Sequence, residues 1–225
     1  MRFQDAARDG RAVVYAAIQA EPLVARAAGL LVGATRGELV LARAVMNGER
    51  TDPATWRRMF PTLFGDPEAG PARDRSEAIL SVALQVADRG EQVRSQVRGA
   101  IVEALTARLL AGRVPAAAIR RERRILFDGV PAEIHPYDVT VEVPDAAEAW
   151  DCKWGARGIN ADVLHQLDDA RSHAIEEDER VSIGLVVFDA RRSCLIRLER
   201  QTAPHAAVRL VALETLDELG RSGTR

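Results

Sequence analysis

The stretch HPYDVTVEVPDAAEAWDCKWG, residues 135–155, decides the fold. Two runs within it, Tyr137 to Val143 and Glu148 to Trp154, alternate with a period of two and are separated by a turn signal at Pro144. Successive side chains of a strand point to opposite faces. In the first run Val139, Val141 and Val143 therefore share one face, and Asp138, Thr140 and Glu142 the other. In the second, Trp150, Cys152 and Trp154 lie opposite Asp151 and Lys153. Acids and a lysine emerge on one side of a sheet whose other side is apolar.

Working outward, RRILFDGV (123–130) reads as a third strand, and Pro131 and Pro136 close the turns of a three-stranded antiparallel meander. Downstream, Asn160 caps a helix with Val163, Leu167, Ala170 and Ala174 on one stripe and Gln166 beside it. That helix ends in the acidic run Glu176 to Glu179. VSIGLVVF (181–188) is apolar on both faces, which is the pattern of a central strand reached by a helical crossover. SCLIRLE (193–199) reads as a further strand and VRLVALETLDELG (208–220) as a closing strand or helix.

Upstream, EQVRSQVRGAIVEALTARLLAGR (91–113) is a helix that follows a break at Gly90 and ends at Gly112. Val97, Ile101, Val102, Leu105 and Leu109 form its apolar side, with Glu103 at the polar margin. The first 60 residues read as short helices broken at Glu21-Pro22, Gly33 and Asn47-Gly48, with Asp52-Pro53 opening one through Trp56 to Phe60. PTLFGDPEAGPARD (61–74) is a linker or ordered loop. The expectation is an α/β fold with a mixed sheet flanked by helices over 73–225, preceded by an all-helical region, 1–72, serving dimerisation or substrate recognition.

The 225 residues are 47% hydrophobic, enough for a sizeable core and against a disordered chain. Lys+Arg of 31 against Asp+Glu of 33 gives a net charge of −2, so any site for a polyanion is local. Two cysteines, Cys152 and Cys194, without a CxxC and with four His, speak against a disulfide framework and a structural zinc, and for a reducing compartment. The opening MRFQDAARDGRAVV puts charges where a signal peptide needs its apolar run, and no stretch reaches the roughly 18 apolar residues of a membrane span. A cytoplasmic protein with no membrane partner is expected. Of the 31 basic residues only Lys153 is a lysine. Its ammonium is compact, rotatable and able to lose its proton, unlike a guanidinium; compositional drift is the alternative explanation.

Asp138, Asp151 and Lys153 form one constellation. Two carboxylates on adjacent strands facing the same side can share a hard divalent cation, most naturally Mg²⁺. The backbone carbonyl of Cys152 faces the same region. Such an ion polarises a phosphoryl oxygen and acidifies a bound water, while an ammonium orients that water or offsets developing charge. Phosphodiester hydrolysis uses all of these parts.

Over roughly residues 91–200 this arrangement resembles the PD-(D/E)xK nuclease superfamily, the restriction-endonuclease-like fold. The resemblance implies that Asp138 and Asp151 are metal ligands and that Lys153 of the D-x-K at 151–153 is the catalytic lysine. It implies that Glu103 is the helical acid supporting the metal and that Gln166 is the polar residue on the following helix, ordering the substrate or Lys153. The chain departs from the family at Tyr137, which stands directly before Asp138 and moves the proline back to Pro136. With 33 acids in 225 residues, an acid two places before a lysine has a chance of 33/225, about 15%, so the motif gains weight only from its strand and helix context. The resemblance implies a metal-dependent nuclease using Mg²⁺ or Mn²⁺ and acting on DNA in preference to RNA, with a homodimer where both strands are cut. The competing reading is a catalytically inactive module of this fold that binds nucleic acid or a protein partner.

Other polar residues have plainer readings beside functional ones. RRERR (120–124) offers guanidinium groups to phosphates or is a solvated connection before the first strand. His135 is an extra ligand or a loop residue, and Glu142 a peripheral acid or a surface one. Glu148 would replace Asp138 only in another register. Trp150, Trp154 and Cys152 read as core. Gly155 and Gly158 bracket Ala156-Arg157 in a tight turn, with Arg157 a possible phosphate contact.

Overall fold

The computed structural model describes residues 1–6, 10–48, 52–65, 70–127, 130–131, 135–143, 146–201 and 208–221. Along the chain run β1 (Arg2–Asp5), α1 (Gly10–Gln19), α2 (Pro22–Leu31), α3 (Arg36–Asn47), α4 (Pro53–Met59), α5 (Pro61–Phe64), α6 (Gly70–Ala87) and α7 (Glu91–Leu110). Then follow β2 (Ile119–Phe127), β3 (Val130–Pro131), β4 (Tyr137–Val143), β5 (Ala146–Lys153), α8 (Ala161–Glu176), β6 (Val181–Val187), α9 (Arg191–Glu199) and β7 (Arg209–Val211). The chain divides into two compact units, Gly10–Leu105 and a second made of Met1–Asp9 with Thr106–Arg225.

The helical unit is built by strong local start signals. Thr35 and Glu38 form a capping box on α3, with the Glu38 carboxylate accepting from the Thr35 N–H at 2.7 Å. Asp52 caps α4, accepting from the Thr55 N–H at 2.9 Å, and Pro53 occupies the first helical position. α3 and α6 pack together, burying Leu39, Ala42 and Met46 with Ile79, Leu80 and Ala83. The boundary expected near residue 72 instead falls at 105, because α6 packs against α2, α3 and α5 and so belongs with the helices before it. The Pro/Gly-rich 61–74 contributes α5 and the start of α6, its residues 66–69 lying outside the described ones. The break at Gly90 separates α6 from α7.

The second unit is an α/β sheet of seven strands in the order β1-β2-β4-β5-β6-β7, with β3 also paired to β2. β5, β6 and β7 are parallel to one another; the other pairs are antiparallel. The meander 2-4-5 and the β5-α8-β6 crossover follow the sequence pattern, and a 3-10 helix, Leu213–Gly220, closes the chain behind β7. The turn expected at Pro144 lies outside the described residues.

Four expectations change. Residues 2–5 are a strand, Phe3 pairing with Ile125, so the N-terminal region is not all helical. Residues 193–199, expected as a strand, lie in α9, where Cys194 and Leu198 are buried one turn apart and Leu195 and Ile196 are exposed. The arginines of 120–124 lie within β2 rather than before it. On α8, Leu167, Ala170 and Ala174 are buried as expected, but Leu164 rather than the half-buried Val163 opens the stripe.

The sheet face that carries the acids is not open. Ala149, Leu185 and Val187 form one core with Leu164, Leu167, Ala170 and Ala174 of α8. Ala149, Asp151 and Lys153 alternate onto that same face, in register with Ile183, Leu185 and Val187 of β6. A parallel pair needs a crossover, and the crossover helix lies over the sheet. Both faces are thereby packed, with Val139, Val141 and Trp150 buried on the other.

Candidate functional site

β4 and β5 bring the two acids of the D…D-x-K pattern together. Val139 pairs with Trp150 and Thr140 with Ala149, so the register places Asp138 opposite Asp151 on one face. Regular pairing ends at Val139, and there the Asp138 Oδ2 accepts the Cys152 N–H at 2.5 Å. The N–H and C=O of one extended residue point to the same side, so the Cys152 carbonyl also faces Asp138. The Cys152 thiol points the other way, 3.5 Å from the Thr106 hydroxyl, as a packed group.

Asp151 is 6% exposed. Its Oδ1 accepts from the Lys153 Nζ at 2.7 Å, while Oδ2 is buried with no hydrogen-bond partner among the described residues. A buried acceptor left unmet would cost about 1–3 kcal/mol, so this oxygen, beside the only lysine of the chain, calls for a partner. Burial pushes the Lys153 ammonium down, but the charges of Asp151 and Asp138 and the Asp151 hydrogen bond outweigh it and hold its pKa above the ordinary 10.5. Lys153 is therefore a fixed cation at neutral pH.

The donor set suits a hard divalent cation: two carboxylates and a carbonyl, all oxygen, with one carboxylate oxygen buried and unmet. Asp138, Asp151 and the Cys152 carbonyl are the residues that would hold it.

Gln166 is buried on α8, where both ends of its amide are engaged by the backbone of His135. It thus holds the loop before β4, and His135 meets it as a loop residue. Glu103, expected at a polar margin, is 3% exposed in the helical unit, where its carboxylate accepts from the Tyr15 hydroxyl and, at 2.7 Å, from the Gln19 amide. Asp138, Asp151, Lys153 and Gln166 all belong to the sheet unit.

Several alternatives take structural roles. Glu142 binds Arg123 at 2.7 Å and the Thr140 hydroxyl at 2.9 Å. Glu148 accepts from Arg113 at 2.5 Å and from the Trp150 indole at 3.0 Å, on the far face from Asp151. Trp154 stacks on Phe188, ring centroids 4.8 Å apart.

One acid escaped the sequence reading. Glu122 lies across from Asp138, between the pairs Arg121–Val139 and Arg123–Tyr137. Their carboxylates come within 4.8 Å of each other. Glu122 holds φ at +52°, a left-handed conformation that a residue with a Cβ adopts at a cost of roughly 1–2 kcal/mol. Strand alternation carries no trace of such an angle; the acid in the middle of RRERR was its only signal.

No family model matches this chain and no curated protein matches it. Among solved structures, the crystal structure of protein VC1899 from Vibrio cholerae aligns with 97% of the chain at 16% identity and a TM-score of 0.44. The chain spans 56% of the length of that protein. Among the described residues, no helix is long and apolar enough to cross a membrane.

Proposed function

We propose that the protein is a divalent-metal-dependent nuclease of the restriction-endonuclease-like kind, hydrolysing phosphodiesters in DNA in preference to RNA. The observation that carries this reading is the buried, unmet Oδ2 of Asp151, opposite Asp138 and next to the only lysine of the chain. Asp138, Asp151 and the Cys152 carbonyl would hold Mg²⁺ or Mn²⁺, which would supply Lewis acidity toward a phosphoryl oxygen. Lys153, kept protonated by its two carboxylates, donates hydrogen bonds that orient the attacking water and offset the charge gathering on the phosphate. Gln166 holds the segment from which Asp138 departs. The helical unit, in which the Glu103 carboxylate is held by Tyr15 and Gln19, serves substrate recognition or dimerisation.

The test is cleavage of duplex, branched and single-stranded DNA and of RNA with Mg²⁺ or Mn²⁺, comparing the parent with Lys153→Ala and Asp151→Asn. Metal-dependent cleavage by the parent, lost in both variants, is expected. A parent that cleaves nothing and binds no metal ends the enzymatic reading in favour of a binding module, and variants that cleave like the parent refute the site.

A further inference from the structure

Lys153 is the last residue of β5, and the chain turns immediately after it through the 3-10 turn Ala156–Gly158. The turn is closed by a bond from the Gly158 N–H to the Gly155 carbonyl at 2.9 Å. It is anchored to the end of β6 by Asp189, a buried carboxylate whose Oδ2 accepts the Ala156 N–H at 3.0 Å and whose Oδ1 accepts the Ala190 N–H at 2.8 Å. The Lys153 carbonyl in turn accepts the Phe188 N–H at 2.8 Å. Both the root of the lysine and the turn beyond it are thus fixed to one rigid strand end.

Gly158 lies against the lysine stem. A Cβ built on it would stand 3.0 Å from each of the Lys153 Cβ, Cγ and Cδ, closer than the optimal packing separation of carbon atoms. The glycine is not there for its backbone freedom, because its φ lies outside the left-handed region that L side chains avoid. Its value at this place is the missing side chain. Three consecutive carbons touch the same spot, including the Cβ that cannot swing away. A methyl group at 158 would therefore press on the stem, which must give by a few tenths of an ångström, and would disturb the placement of Nζ at its 2.7 Å contact with Asp151.

We propose that Gly158, on the turn anchored by Asp189, is a positioning residue for Lys153. Its bare Cα is the wall that lays the lysine stem along the turn and presents Nζ to Asp151 and to the reacting phosphate. This rests on the nuclease reading for its catalytic consequence, though not for the positioning itself. It also gives the turn a second task beyond linking β5 to α8.

Because the chain has one lysine, ¹³C-lysine labelling gives side-chain correlations from Lys153 alone. In the intact parent protein, nuclear Overhauser contacts between the Gly158 Hα protons and the Lys153 β, γ and δ protons are expected, and their absence overturns the proposal without any variant. In Gly158→Ala, the Lys153 δ and ε signals should shift and kcat should fall at least tenfold, with KM and Mn²⁺ affinity within about twofold of the parent. Lysine signals that superimpose on those of the parent, or a loss confined to KM, overturn it. A parent that cleaves nothing defeats the nuclease reading while the Overhauser contacts still decide the positioning.

Discussion

Gln166 closes both ends of its side-chain amide on one residue: Oε1 accepts the His135 N–H and Nε2 donates to the His135 carbonyl, each at 3.2 Å. A helix covering the sheet is thereby tied to the segment that delivers Asp138 three residues later. Gln166→Leu keeps the volume and loses both bonds, so urea denaturation should show a loss of about 1–3 kcal/mol. An unchanged midpoint and slope would show that the pair contributes nothing to folding.

The buried Oδ2 of Asp151 is the oxygen that a bound cation would engage. Mn²⁺ should raise the melting temperature of the parent, equivalent to about 2.7 kcal/mol at a hundredfold excess over Kd. Asp151→Asn should abolish that rise, and an equal rise in the variant would place the ion elsewhere.

Lys153→Arg should fold and lose most activity. The guanidinium is planar and bulkier than the ammonium that meets Asp151 at 2.7 Å, and the stem that carries it lies against Gly158. Circular dichroism with a cleavage assay checks both halves of this expectation; retention of full activity would mean that any cation suffices.

Glu122 carries backbone strain within 4.8 Å of Asp138. Glu122→Gly relieves the angle, at the cost of a more flexible unfolded chain, and removes a negative charge near the proposed ligands. Thermal stability should hold or rise by up to about 1 kcal/mol while Mn²⁺ binding, followed by calorimetry, weakens by about tenfold. Unaltered affinity would make the strain unrelated to the ion.

In the helical unit, Arg57 grips Glu77 with two bonds of 2.8 Å. That hydrogen bonding, opposed by burial and helped by the charges of Arg57 and Arg73, holds the Glu77 carboxyl below its ordinary 4.5. A carboxyl depressed on folding stabilises the fold fully above its ordinary value and loses that contribution as pH falls through the lowered one. Both partners are near a third exposed, so the effect is below about 1 kcal/mol. Glu77→Gln should lower stability at pH 7 and leave it unchanged at pH 2 in acid titrations followed by circular dichroism.

The sheet was legible wherever one periodicity dominated. Val139, Val141 and Val143 against Asp138, Thr140 and Glu142 announce a strand, and Asn160 announces the crossover helix that follows. α9 was misread because its two buried residues, Cys194 and Leu198, flank two exposed apolar ones, so the apolar cluster mimics a strand. β1 was missed because it is a charged edge of four residues with little of its own to bury. That Asp138, Asp151 and Lys153 share one sheet face is legible because strand alternation forces it. The engagement of Gln166 with His135, and the angle at Glu122, depend on contacts and torsions that no spacing encodes.

The pairing of Phe3 with Ile125 makes the sheet unit discontinuous, with the helical unit, Gly10–Leu105, inserted into it. As the chain leaves the ribosome, the inserted helices are complete before any partner for the first strand exists. β1 must wait, unpaired, until β2 has been synthesised. The sheet therefore assembles late, and β1 docks only after its neighbour in the sheet has been made.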